Sequence, residues 1–306
     1  MQIIQSDIID PKAASFAKKF KGGVCCPAFD SLAEAIVWGE TAKVNSTFAS
    51  HPFSKDDNNE SFSGSPNWPA MKKIVRDGWV KGREKIAANL AAIFASGAAE
   101  LTCGAAVEHA VGGAYPDVPL YVAGNVCHMV SEGDQLDSKP IIKLLINVSA
   151  SASTSRERIA NRGAAVAALV DEIESAGNSC EVHAVDVATQ SGASGRSFFC
   201  PVIQLKKSSE AISIDDLAFG LGHPSMLRRV CFAIIETIPF TNTRGFSNGY
   251  GSTGDVPSDA LPYDAIYLAG VDCGGSEYNT PEAAMEEVRK LYQKQAIERG
   301  LVEVTQ

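Results

Sequence analysis

The sequence predicts an α/β fold: a doubly wound, mainly parallel sheet over residues 139–306, preceded by an α-rich region over residues 1–138. Three observations carry this. PIIKLLINV, Pro140–Val148, is a near-continuous apolar run bounded by Pro and Ser, as expected for a strand buried on both faces. ERIANRGAAVAALVDEIESAG follows as a long amphipathic helix stopped by Gly177. SCEVHAVDVA then alternates and is β-rich, which marks a second strand.

The same grammar continues. FFCPVIQL reads as a third strand, and SIDDLAFGLGHPSMLRRVCFAIIETI as mostly helical with a break near Gly222 and Pro224. YDAIYLAGVD reads as a strand, PEAAMEEVRKLYQKQAIERG as an amphipathic helix and LVEV as a closing strand or tail. Such alternation gives a sheet covered on both faces. In the N-terminal region, Asp30 is placed to cap a helix over SLAEAIVWGE. Residues 42–66 are rich in Ser, Asn, Asp and Pro and read as a long polar loop. Pro69 opens a helical pattern that Gly78 and Gly82 interrupt before KIAANLAAIFASG resumes it. PDVPLYVAG predicts a strand over Val118–Val122.

Composition narrows the function classes. Formal net charge is -9 and the sequence pI is about 5.1. Nucleic-acid binding draws on basic groups that neutralise phosphates, and an acidic chain repels it overall. The same field disfavours anionic membrane surfaces. The first residues lack the apolar core of a secretory signal. No window approaches the roughly 18 apolar residues of a transmembrane helix. The expected location is the cytoplasm. The eight cysteines are scattered with no Cys-x-x-Cys pair, so buried reduced thiols are expected rather than a zinc site.

Ligands of open α/β sheets bind where loops leave the carboxyl ends of the strands. Three segments meet that description: Asn147–Ser151 after the first strand, the loop carrying Ser208, Ser209 and Ser213, and AGVDCGG with Asp272. Asn147, Ser149 and Ser151 match the Asp-x-Ser-x-Ser loop of the von Willebrand factor A domain in spacing and context. The C-terminal half thus resembles that Rossmann-like family. The resemblance implies a metal-ion-dependent adhesion site, here degenerate, holding Mg²⁺ on Asn147, Ser149, Ser151, Ser213 and Asp272. A partner's carboxylate would complete it. Asn147 stands where the family has Asp, which removes one negative charge from the site. Two other readings remain open: these residues satisfy backbone groups in a tight turn, or SASASTSRER binds an anion at a helix N-terminus.

Within this half the resemblance is nearest to intracellular A-type domains, including partners of MoxR-type AAA+ ATPases and the large cobalt chelatase subunit. It implies a non-enzymatic protein-binding module with an AAA+ ATPase as partner. The segments SFSGSPNWPAMKKIVRDGWVKG, GGAYPDVPLYVAGN, RGAAVAALVDEIESAG and FGLGHPSMLRRVCFAIIE resemble an uncharacterised family of tailed-bacteriophage proteins. That implies a phage origin, and hence the host cytoplasm. Nucleic-acid association and a virion structural role are the alternatives.

Other candidates carry less chemistry. Trp68 and Trp79 mark a helix turn by core packing, or Trp79 belongs to a partner surface. Arg228 and Arg229, after His223, either grip a partner's carboxylate or phosphate or pair with Asp215, Asp216 or Glu236. Glu108 and His109 lack a metalloprotease spacing. Tyr115–Asp117 reads as a turn, and His128 and His183 as structural. Thr243–Asp255 is a Gly- and Ser-rich surface loop. No nucleophile elbow, phosphate-binding loop or dinucleotide fingerprint is present.

Overall fold

The computed structural model describes residues 5–46, 48, 52–55, 60–95, 108–112, 115–116, 118–122, 124, 126, 128–131, 141–193, 195–238, 250, 252–272 and 274–301. Its centre is a five-stranded sheet in the order Ala265–Leu268, Ile141–Asn147, Ser179–Val185, Val202–Lys206, Ala28–Phe29. The first three strands are mutually parallel. Val202–Lys206 runs antiparallel to Ser179–Val185, and Ala28–Phe29 is parallel to Val202–Lys206. The protein is α/β with mixed sheets.

The reversal has a local cause. A parallel neighbour needs a crossover of a dozen or more residues, usually a helix. The connection after Val185 is instead a hairpin, Ala188–Gly192 with Gly195–Phe199, so the chain re-enters the sheet at the end it left, with Val202 beside Val185, and runs back. FFCPVIQL accordingly splits into two strands of different sheets. The hairpin pairs with Gly23–Cys25 and Ser252–Thr253 in a second, four-stranded sheet.

One face of the central sheet, with Leu144, Ile146, Val182 and Ile203, packs on helices. The other, with Leu145, Val185 and Val202, packs on Phe198 of the second sheet and on Phe16 and Phe20 beside the Ala14–Lys19 helix. The second face is therefore closed by a sheet and a short helix rather than by a helical layer. Strands at 23–25 and 28–29 join partners beyond residue 195, so both sheets cross the boundary expected at residue 138.

The Arg156–Ser175 helix is buried on all sides from Arg158 to Val170, rather than on one face as its sequence predicts. Small residues make this possible. A Cβ on Gly163 would stand 2.2 Å from the Gly222 Cα. The helix is covered by the Val80–Ala95 and Pro281–Glu298 helices and the Ala218–Gly222 segment. Two of its buried polar side chains bond to neighbouring backbone: Arg162 Nη2 donates to the carbonyls of Leu268 and Ala269, and Asn161 Nδ2 to that of Tyr278.

Local signals mostly hold. Trp68–Asp77 carries Pro69 in its first turn, and Gly78, at φ 83°, ends it. The 214–237 region is helical with two π-helical stretches, Ala218–Gly222 and Met226–Cys231, flanking Pro224. The Leu32–Thr41 helix is capped by Ser31, whose Oγ accepts from Glu34 N, while Glu34 accepts from Asp30 N. The cap is thus one residue on from Asp30, and Glu34 reaches back past it to the Asp30 N–H. Val118–Val122 is a short helix, not a strand. The strand beside it is Tyr115–Pro116, paired with Met129–Ser131 where a turn was expected. No helix of the described residues is long and apolar enough to cross a membrane. The LVEV tail lies outside the described residues after Leu301.

Candidate functional site: a cavity at the strand ends

Asn147 organises the carboxyl ends of the central strands. It ends its strand fully buried. Its Oδ1 accepts from Ser149 N at 3.0 Å and from Val187 N at 3.4 Å. Its Nδ2 donates to the Gly254 carbonyl and to the Tyr267 hydroxyl, each at 2.9 Å. Both acceptor and both donor positions of the amide are thus engaged. One side chain ties the loops after two strands to the 252–254 segment and the last strand. This matches the reading in which Asn147 satisfies backbone groups.

The loop after this strand is fixed on both sides. Val271 N donates to the Ser149 carbonyl at 3.0 Å, and Ala150 bridges Val271 in parallel. Asp272 therefore stands beside the Ser149 loop, exposed to solvent. Ser151 Oγ lies 3.0 Å from Ser153 Oγ and 3.1 Å from Thr154 Oγ1. Ser213 is elsewhere. The strand before it runs antiparallel, so its loop lies at the opposite end of the sheet, where Ser213 caps Ile214–Leu217. Four of the five candidate ligands thus cluster and the fifth does not. Among the described residues, no group of three or more His, Cys, Asp or Glu side chains is arranged to hold a metal.

Arg228 and Arg229 are interior clamps. Arg228 donates to the carbonyls of Phe62 (2.7 Å), Thr154 (2.9 Å) and Ser151 (3.3 Å), with its guanidinium over the Phe62 ring at 4.0 Å. Burial lowers its pKa to about 10. Arg229 donates to Ser65 Oγ and to the carbonyls of Ser54 and Ser65 at 2.7–2.8 Å. Glu236 accepts from the backbone N–H and hydroxyl of Ser54 and from the Tyr250 hydroxyl. These bonds hold part of the polar 42–66 loop as an ordered strap with two short helical turns, Phe53–Lys55 and Glu60–Ser63. Trp79 is half-buried against Gly222 and the edge of His223. His223 is held neutral by burial, its pKa lowered to about 4, and its Nδ1 accepts from Ser225 N.

Beneath the strap is a cavity of about 430 Å³. Ser149, Ser151 and Asp186 line it from the strand ends, and Phe53, Phe62, Phe232 and Tyr250 supply aromatic walls. The rings form one cluster, with Phe232 and Tyr250 stacked at 4.1 Å. Ser252 and Thr253 stand exposed at its edge.

Asp186 was not singled out by sequence. It follows the second long strand directly, and it is 5% exposed. Among the described residues its carboxylate makes no hydrogen bond or ion pair, and burial alone pushes its pKa up to about 7. Ser149 Oγ, also buried, has no hydrogen-bond partner among the described residues. The signal was available: an acid closing an apolar run at a strand's carboxyl end. The aromatic residues of the strap carried none.

A family model described as a domain of unknown function, DUF7192, matches residues 12–299. The chain belongs to the DUF7192 family. No curated protein and no solved structure matches it. In this DUF7192 member the matched span includes the strap, both sheets and every cavity residue named above. Cys25, Cys26, Cys180, Cys200 and Cys231 are buried free thiols with pKa values raised by burial, to about 11 for Cys25 and about 12 for Cys180. Cys103, Cys127 and Cys273 lie outside the described residues, as do residues 243–249 of the Gly- and Ser-rich loop. Glu108 and His109 lie on the Glu108–Ala110 strand of a separate three-stranded sheet.

Proposed function

We propose that this protein is a small-molecule-binding module that acts through the cavity at the strand ends. The observation that carries the reading is Asp186: a buried carboxylate, without a hydrogen-bond or ion-pair partner among the described residues, in the lining of a cavity of ligand size. A buried polar group left unsatisfied is costly, and native structures retain few of them. Aromatic walls with a small number of polar groups, at the carboxyl ends of parallel strands, are the usual make-up of a small-molecule site. The test is native mass spectrometry after incubation with a low-mass metabolite extract. Wild type should retain a small molecule. Ala152→Trp should not, since Ala152 is exposed at the cavity and a large side chain there blocks it without disturbing the core. Retention of nothing by wild type, or equal retention by both, would overturn the reading.

A second reading is favoured by Asp272, exposed beside the Ser149 loop. Here the same face, in an A-type domain, docks a protein partner such as a MoxR-type AAA+ ATPase, with Mg²⁺ shared between Ser149, Ser151 and Asp272. Thermal unfolding with and without Mg²⁺ tests it, because a ligand of the native state raises stability by mass action. A rise in Tm that disappears in Asp272→Ala supports this reading, and no rise in wild type sinks it.

A further inference from the structure

The geometry points to a particular ligand chemistry: a planar nitrogen heterocycle carrying a ring N–H beside an exocyclic amino group, with the Asp186 carboxylate receiving both donors. The inference rests on the cavity being a binding site and goes further by naming what the site recognises.

The floor offers two oxygens of Asp186, which only accept when ionised, and the Ser149 hydroxyl, which accepts or donates; neither side chain has a hydrogen-bond partner among the described residues. Two carboxylate oxygens accept two parallel N–H bonds from one planar group, a pairing that fixes orientation as well as energy. The cation in the lining, Arg228, already donates to three carbonyls and holds the strap to the Ser151 loop. An anionic ligand therefore finds no dedicated donor set.

The walls decide between a flat ring and a compact ammonium. Phe53, Phe62, Phe232 and Tyr250 present ring surface, and aromatic pairs prefer offset-stacked or edge-to-face contact with another ring. An ammonium satisfies Asp186 but leaves most of about 430 Å³ to water. It also places a second positive charge in a cavity that Arg228 lines. A neutral heterocycle supplies the donors and fills the aromatic space together.

Calorimetric titration of the full chain tests this. The probes are guanosine and biopterin, which share the donor edge, inosine, which lacks the exocyclic amine, and phenethylamine, an aromatic ammonium. Guanosine or biopterin should bind, and which of them binds identifies the source of the edge. Inosine should bind at least tenfold more weakly than guanosine if guanosine is the binder. Asp186→Asn, which keeps the shape and folds with one buried charge fewer, should lose at least tenfold for the binder. Binding of phenethylamine alone, or a binder unaffected by Asp186→Asn, overturns the inference. If no probe binds while wild type, but not Ala152→Trp, retains a molecule from the extract, the inference fails and the cavity reading stands. If nothing is retained, both fail.

Discussion

The amide nitrogen of Asn147 donates to the hydroxyl of Tyr267 at 2.9 Å, joining adjacent parallel strands through their side chains. The same nitrogen donates to the Gly254 carbonyl. Asn147→Asp replaces this donor by a carboxylate oxygen that faces a carbonyl. The Tyr267 hydroxyl can turn to donate, but Gly254 cannot. A buried acceptor left without its donor costs roughly 1–3 kcal/mol. Urea unfolding should show a loss of that size, and a neutral or stabilising Asn147→Asp would mean that the floor is not organised by this amide.

Asp186 gives stability a pH dependence. Its pKa is about 7 in the fold and roughly 4 in an unfolded chain. Between these values the native state holds the proton more tightly, so stability falls as pH rises from about 4 to 7 and then levels off. The full penalty is roughly 4 kcal/mol. The thiols of Cys200 and Cys231, which feel its charge, are kept protonated by burial and add none of their own. Asp186→Asn should therefore be more stable than wild type at pH 8, with the difference shrinking towards pH 4. A difference independent of pH would place the carboxyl in contact with water.

Arg229 is fully buried and donates to Ser54 and Ser65 across more than 160 residues of chain. Arg229→Met removes the donors and leaves their carbonyls buried. Loss of such a network falls in the severe class, roughly 3 kcal/mol or more. The strap should also become sensitive to limited proteolysis between residues 52 and 66 before the rest of the fold. Uniform cleavage across the chain would contradict this placement.

The Arg156–Ser175 helix crosses the Ala218–Gly222 segment through two glycines. A Cβ on Gly163 meets backbone atoms of Leu221 and Gly222 at 2.2–2.5 Å, and backbone does not swing aside. Gly163→Ala should destabilise by roughly 1–3 kcal/mol, although alanine is the better helix former. Thermal unfolding distinguishes the two effects by the sign of the change in Tm.

The parallel strands were legible because their apolar runs are long and their ends are marked. The Asn147–Ser151 loop lies beside that of Asp272 because both leave parallel neighbours. Ser213 was misplaced for one reason: nothing in FFCPVIQL announces that the strand before it is reversed. Orientation came from a hairpin, Ala188–Phe199, whose turn has Gly and Ser but no distinctive pair. For Arg228 and Arg229 the sequence suggests a partner's anion or the acids Asp215, Asp216 and Glu236, whereas their bonds go to carbonyls and a serine hydroxyl, and a sequence does not show where carbonyls converge. The aromatic strap was hidden in the same way, as Phe53 and Phe62 lie in a segment whose composition is that of a loop.

The edge strands Gly23–Cys25 and Ala28–Phe29 have a consequence for synthesis. Their hydrogen-bonding partners, Phe199 and Val202, are made more than 170 residues later. During translation the N-terminal segment waits with Phe16, Phe20 and Val24 unsheltered, since the apolar surface that buries them is not yet made. Long-range pairing of this kind is slow, and the waiting chain is prone to association. Yield of soluble protein should therefore depend on chaperone supply and on the rate of elongation, more than on the stability the finished molecule attains.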